Sequence, residues 1–134
     1  MNQESATITL RKTLDAQAAR QRAHAQNIAN AETPGYRRLA VNFEDQLKDA
    51  LDQSNVGAMR KDDPRHMNSE GSGTLAEVSP QIRQEPVPEN GTGINGVEIE
   101  REMSEMAETQ LRYLASLELL KRRYTALKSA IKGQ

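Results

Sequence analysis

VEIEREMSEMAETQLRYLASLELLKRRYTALKSAI, residues 97–131, decides what kind of fold this chain can adopt. Apolar or aromatic side chains recur at Met103, Met106, Tyr113, Leu117, Leu120, Tyr124, Leu127 and Ile131, with Gln110 in the one remaining place. The spacing alternates three and four, which is the seam pattern of a coiled coil. Ala107, Leu111, Leu114 and Leu119 widen the stripe, so the helix has apolar surface for more than one neighbour. Acids crowd the first turns (Glu98, Glu100, Glu102, Glu105, Glu108) and bases the last (Lys121, Arg122, Arg123, Lys128, Lys132), an order that complements the helix dipole. Asn95 is the expected N-cap, with Glu98 completing a capping box, and Gly133 ends the run. A helix over Val97–Ile131 would be roughly 52 Å long at 1.5 Å per residue. So long a helix in a chain of 134 residues reads either as half of an intramolecular hairpin or as a shaft element in an assembly.

The N-terminal segment offers a matching stripe at Leu10, Leu14, Ala18, Gln21, Ala25 and Ile28. Its small side chains permit close helix approach but bury little area. The expected fold is therefore mainly α: long N- and C-terminal helices packed as an antiparallel coiled-coil-like pair, with an irregular, partly extended middle. Residues 1–53 would hold the first helix, a corner and a short amphipathic helix carrying Phe43, Leu47 and Leu51. Residues 54–96, rich in Gly and Pro, would be flexible or partly extended, and 97–134 would be the long helix. Around "EVSPQIRQEPV" the chain can extend, although Pro80 and Pro86 bar a central strand.

Composition excludes several functions. There is no cysteine, so disulfides and thiolate chemistry are ruled out. Hydrophobic residues make up 36%, with no Trp and a single Phe, which leaves a thin core for an isolated chain. The net charge is −1, and residues 41–96 hold ten acids against five bases, unlike a nucleic-acid binder with its concentrated basic face. No apolar run reaches membrane-spanning length, and "MNQESATITL" lacks the marks of a cleaved signal, so sequence chemistry alone would place the chain in the cytoplasm. His24 and His66 are the only histidines, too few and too far apart for a zinc site. "DDPRH" reads as a turn, and "GSGT" at 71–74, with no lysine after it, as linker. Glu98, Glu102 and Glu105 read as a solvated helix face. Neither an enzyme nor a cofactor site is expected.

The stretch "QNIANAETPGYRR", residues 26–38, ends a helix abruptly. Asn27 and Asn30 bring amides to the helix end. Pro34 restricts Thr33 before it, Gly35 can take a positive φ, and Tyr36 puts an aromatic ring at the exit. With its asparagine-alanine-asparagine run followed by Thr-Pro-Gly-Tyr, this stretch closely resembles the N-terminal signature of flagellar rod, hook and related axial proteins. The short length, "DPRHM" and the C-terminal "GVEIEREMSEMAETQLRYLASLELLKRRYTALKSAIKG" are similar to the proximal-rod members. Where relatives usually carry an asparagine pair followed by Val-Asp, this chain has Gly96 and Glu98.

The resemblance implies a structural subunit of the proximal rod of the bacterial flagellar basal body, assembling with other rod proteins to transmit torque for motility. It implies export through the flagellar type III apparatus without signal cleavage, and residence in the rod crossing the periplasmic space. Implied partners are further copies of the chain, the rod proteins FlgC and FlgF, the adaptor FliE and the membrane ring protein FliF; neither nucleic acid nor a small-molecule ligand is implied. Asn27, Asn30, Thr33, Pro34, Gly35 and Tyr36 would form an assembly corner that aims Phe43 and Leu47 at an adjacent subunit. Leu10, Leu14, Ala18, Ala25 and Ile28 with the Met103–Ile131 stripe would form the helix seam. Without the resemblance, periodicity fits equally a cytoplasmic coiled-coil adaptor or secretion chaperone.

Overall fold

The computed structural model describes residues 3–56, 75–86 and 97–133. Within them lie helix α1 (Gln3–Ala29), strand β1 (Leu39–Asn42), helix α2 (Glu44–Val56), strand β2 (Gln81–Gln84) and helix α3 (Ile99–Lys132). The protein is mainly helical, and α1 packs closely on α3. Their directions are opposed: His24 near the end of α1 meets Glu102 near the start of α3, and Thr7 accepts a hydrogen bond from Arg123 near the other end. The linker and capping residues around 57–74 and 87–96, with His66 and Asn95, lie outside the described residues.

α1 tolerates its threonines because they satisfy themselves locally. The hydroxyls of Thr9 and Thr13 each donate to the carbonyl four residues back, at 2.9 Å. The buried apolar residues of α1 are all alanines, Ala16, Ala19 and Ala23, and polar Gln17, His24 and Asn27 are buried beside them. Without bulk, the helix lets other backbone come near on two sides. One side takes α3. On another, Ala16 joins Phe43, Ala50, Leu75 and Val78 in the core cluster, with Ile8, Val41, Leu47 and Leu51 packed around it.

The sequence suggests that Phe43 and Leu47 aim at a neighbouring subunit, but Phe43 is buried in its own chain and half-buried Leu47 packs against the same cluster. Phe43 is 2% exposed inside its own chain. It sits just before α2, and its carbonyl accepts from Leu47 N–H at 2.9 Å, so the first turn of α2 swings the ring inward. The only phenylalanine of the chain is the largest available core filler, and burying such a ring is worth about 1.5–3 kcal/mol.

β1 and β2 pair antiparallel, Leu39 with Gln84 through Asn42 with Gln81. Glu85 N–H donates to the Arg38 carbonyl at 2.8 Å, extending the ladder by one step. β2 is exposed throughout, and Pro80 and Pro86 flank it, where a missing N–H costs nothing.

α3 starts at Ile99 rather than Val97. Glu98 is its N-cap and makes no side-chain cap bond. The far end follows expectation: Gly133 has φ 70° and donates its N–H to the Ser129 carbonyl at 3.1 Å, closing the last turn in the left-handed conformation that glycine adopts without strain.

Candidate functional site: a buried latch at the corner

After Ala29 the chain leaves α1 through a chain of tight backbone bonds. Thr33 N–H donates to Asn30 O at 2.9 Å and Tyr36 N–H to Thr33 O at 3.1 Å. Pro34 and Gly35 are the central pair of that last turn, and Gly35 has φ 76°. Proline followed by a residue of positive φ is the type II arrangement. A Cβ built on Gly35 would meet nothing within 4 Å, so the demand for glycine is backbone torsion alone. Asn30 stays local: its Nδ2 donates to Gln26 O at 2.9 Å. The Thr33 hydroxyl lies 3.5 Å from Asn30 Oδ1, and Thr33 and Pro34 are exposed.

Asn27 does the fastening. It is wholly buried. Its Oδ1 accepts from Leu39 N–H at 2.8 Å and from the Tyr36 hydroxyl at 3.2 Å. Its Nδ2 donates to Leu39 O at 2.9 Å and to Glu102 Oε2 at 3.1 Å. One side-chain amide thus replaces a strand neighbour for Leu39, closes the turn through Tyr36 and reaches α3. Both donor hydrogens and both acceptor sites are used, the full capacity of an amide.

Glu102 is the other half of the latch and is 1% exposed. Its Oε2 lies 2.7 Å from His24 Nδ1, and its Oε1 accepts from Arg38 Nε. An ionised carboxylate only accepts, so His24 carries its proton on Nδ1. Arg38 also reaches Glu105, and through Nη1 reaches Glu85 Oε1 at 3.0 Å. Burial pushes the Glu102 carboxyl up, but hydrogen bonds from His24, Asn27 and Arg38, with the charge of Arg38, outweigh it and hold the pKa below the ordinary glutamate value. Burial likewise works against the Arg38 cation, yet Glu102, Glu85 and Glu105 hold its pKa above the usual value. The Tyr36 pKa is raised, first by burial and then by the negative charge of Glu102.

The reading of Glu98, Glu102 and Glu105 as a solvated face fails at Glu102, because the end of α1 and the corner close over it. His24, Glu102 and Glu105 also lie close enough, with ligand atoms within 4.8 Å, to suggest a metal site. The donor set argues against it: Arg38 already spans both carboxylates, and His24 and Asn27 take the remaining Glu102 oxygen. An open cleft of about 310 Å³ beside the latch mixes Arg20, Arg38 and Arg112 with Glu44, Glu105 and Glu108, and selects neither sign of charge.

The corner residues and the seam residues separate in space. Asn27 and Tyr36 enter the latch, while Asn30, Thr33, Pro34 and Gly35 shape the turn. On α1, Leu10, Leu14, Ala18 and Ile28 are half-buried and Ala25 is exposed. On α3, Met106, Tyr113 and Leu120 are half-buried, whereas Met103, Leu117, Tyr124, Leu127 and Ile131 are exposed. The face that α3 turns to α1 is instead Glu102, Met106, Thr109, Tyr113, Ser116, Leu120 and Arg123, all buried or half-buried. It is a second three-four repeat, rotated by one residue on half its positions. Glu102, Thr109, Ser116 and Arg123 form a polar column at intervals of seven, the one signal that sequence reasoning could have used to find Glu102. Arg38 and the Leu39 backbone carry no such signal.

The family model for "Flagella basal body rod protein" matches residues 9–37, which contain the end of α1 and the corner. The chain is 39% identical over 108 residues to the flagellar basal body rod protein FlgB of Cereibacter sphaeroides, covering 81% of this chain and 79% of that one. The FlgB of Aeromonas hydrophila is 32% identical over 109 residues, 81% of this chain and 78% of its own. That of Escherichia coli is 31% identical over 125 residues, 90% and 83% respectively. The signature residues that form the corner, and similarity running over most of both chains, lead to one conclusion: this chain belongs to the FlgB family of flagellar basal body rod proteins and is a structural subunit of the rod.

Proposed function

We propose that the chain serves in the proximal part of the rod, transmitting torque through a coiled-coil-like α1–α3 pair whose remaining apolar surface is covered by neighbouring subunits. The observation that carries this is the uncovered face of α3: Met103, Leu114, Leu117, Tyr124 and Leu127 are 41–59% exposed in the single chain. Apolar side chains left in water at regular helical spacing mark an interaction surface. The latch suits a load-bearing role, since it ties α1, β1 and α3 at one point with charge-assisted bonds. The corner residues Asn27, Asn30, Thr33, Pro34, Gly35 and Tyr36 then set the angle at which the middle of the chain leaves the helix pair.

The division into 1–53, 54–96 and 97–134 follows from the same reading. Further copies of the chain, FlgC, FlgF, FliE and FliF are the partners, reached after type III export into the periplasmic space. No helix among the described residues is long and apolar enough to cross a membrane, which accords with a rod position.

Leu117→Asp tests the reading. Leu117 is 41% exposed, so the purified variant should keep its helicity. Buried in an assembly, an unpaired carboxylate costs several kcal/mol. Basal bodies isolated from cells that make and export the variant should lack it, and the cells should not swim. Rods of normal composition containing Leu117→Asp would refute the proposal.

A further inference from the structure

The cleft beside the latch carries hydrogen-bonding capacity that the chain itself leaves unused. β1 supplies the first part. The Arg38 carbonyl accepts from Glu85 N–H, so the bonds of the β1–β2 ladder fall on Arg38, Ala40 and Asn42. Leu39 and Val41 turn their main-chain groups to the opposite edge. Asn27 meets Leu39 from that edge, donating to its carbonyl and accepting from its N–H. Two residues on, Val41 lines the cleft, and no group among the described residues replaces a strand neighbour for it.

Side chains supply the second part. Thr109 is 6% exposed and His24 8%, and both line the cleft. Among the described residues nothing bonds the Thr109 hydroxyl. His24 carries its proton on Nδ1 toward Glu102, which leaves Nε2 as an acceptor without a partner there. Buried polar groups are nearly always hydrogen-bonded, so these are marks of an absent partner. The charged groups, by contrast, are paired within the chain: Arg20 with Glu44, Arg112 with Glu108, Arg38 with Glu105. A charged ligand would find no unpaired counter-ion. What remains is neutral: a main-chain N–H and C=O, a hydroxyl and an imidazole nitrogen. That set matches an extended peptide backbone bearing a neutral polar side chain. A cleft of about 310 Å³ holds a short stretch of chain, and a free sheet edge is a template for such a segment.

We propose that the cleft between α1, β1 and α3 binds an extended segment of a neighbouring rod subunit, added as a strand beside Val41, with an Asn, Gln, Ser or Thr side chain reaching His24 and Thr109. The segment's main chain pairs with Val41 N–H and C=O. Its side chain donates to His24 Nε2 and accepts from the Thr109 hydroxyl. The latch prepares both halves of the site, since Glu102 fixes His24 and Asn27 fixes β1. The proposal rests on the rod reading above but uses a surface apart from the outer face of α3.

Photo-cross-linking in isolated basal bodies tests it. A benzophenone amino acid is placed at Arg112, on the exposed rim of the cleft, or at Tyr124, on the outer face of α3. The exposed Arg112–Glu108 pair contributes little to stability, so its loss is tolerable. The Arg112 probe should form an adduct with another rod chain, mapped by mass spectrometry to a non-helical stretch with neutral polar side chains. Thr109→Val removes a hydroxyl that has no partner among the described residues of its own chain. It should lower the Arg112 adduct about two- to tenfold, the worth of one neutral hydrogen bond, and leave the Tyr124 adduct unchanged. Thr109→Ser should keep both. An adduct at Tyr124 with none at Arg112, an Arg112 adduct only within the same chain, or an undiminished Arg112 adduct in Thr109→Val would each overturn the inference and leave the outer-face reading standing. Absence of both adducts would overturn the two together.

Discussion

Glu102→Gln probes the latch with almost no change of shape. In the parent, Oε1 faces Arg38 Nε, while Oε2 faces His24 Nδ1 and Asn27 Nδ2. All three opposing groups are donors. A glutamine amide has one oxygen and one NH2, so either orientation sets its NH2 against a donor. The substitution also leaves the Arg38 guanidinium with only Glu105 and the more exposed Glu85 to balance it. Removing one partner of a buried, hydrogen-bonded ion pair costs about 3–5 kcal/mol. Against a typical domain stability of about 5–15 kcal/mol, that is a large share. Urea unfolding followed by circular dichroism at neutral pH should show the loss. The pH dependence supplies a second reading. Glu102 has a folded pKa below its unfolded value of 4.5. Its contribution is therefore fully present above that value and fades as pH falls through the lower folded pKa. The gap between parent and Glu102→Gln should narrow on acidification below 4.5, because only the parent must take up a proton there. A loss under about 1 kcal/mol at neutral pH, or a gap that stays constant into acid, would refute the account of Glu102 as the ionised centre of the latch. Replacing both partners, Glu102→Leu with Arg38→Met, should cost less than the two single changes summed.

Gly35→Val should destabilise by about 1–3 kcal/mol through positive φ alone, and Gly35→Asn by less; equal melting temperatures for all three would show that the turn is not conformationally demanding. Phe43→Ala should cost about 3–5 kcal/mol by opening a cavity beside Ala16, Ala50 and Leu75, and a near-neutral result in denaturant unfolding would mean the ring is not held in its own chain. Tyr36→Phe removes one hydroxyl donor to Asn27 Oδ1 and should cost about 1 kcal/mol in the same assay; an unchanged unfolding midpoint would show that the bond contributes nothing.

Sequence by itself determined the helices and the class of protein, but not strand β1. The Met103–Ile131 repeat specified a long helix, because a sustained three-four spacing leaves no other regular structure that keeps those side chains on one side. The Pro34–Gly35 pair specified where α1 must stop, since proline and a residue of positive φ are local demands that need no partner. Gly133 ends α3 for the same local reason. The signature around Asn27–Tyr36 identified the family, because that pattern is specific in residue type and order. Only the tertiary structure decided which face of each helix is covered. α3 has two adjacent three-four repeats, and periodicity gives them similar standing; Met106, Tyr113 and Leu120 turn inward with a polar column that includes Glu102, whereas Met103, Leu117 and Tyr124 stay outside. What tipped the balance was a set of contacts between residues 24, 27, 38 and 102. A carboxylate that looks solvated in isolation becomes the most buried charge among the described residues once an arginine, a histidine and an amide from distant positions converge on it, and no local pattern encodes that convergence. The same holds for Phe43, whose inward turn depends on the alanine side of α1 being bare enough to receive it.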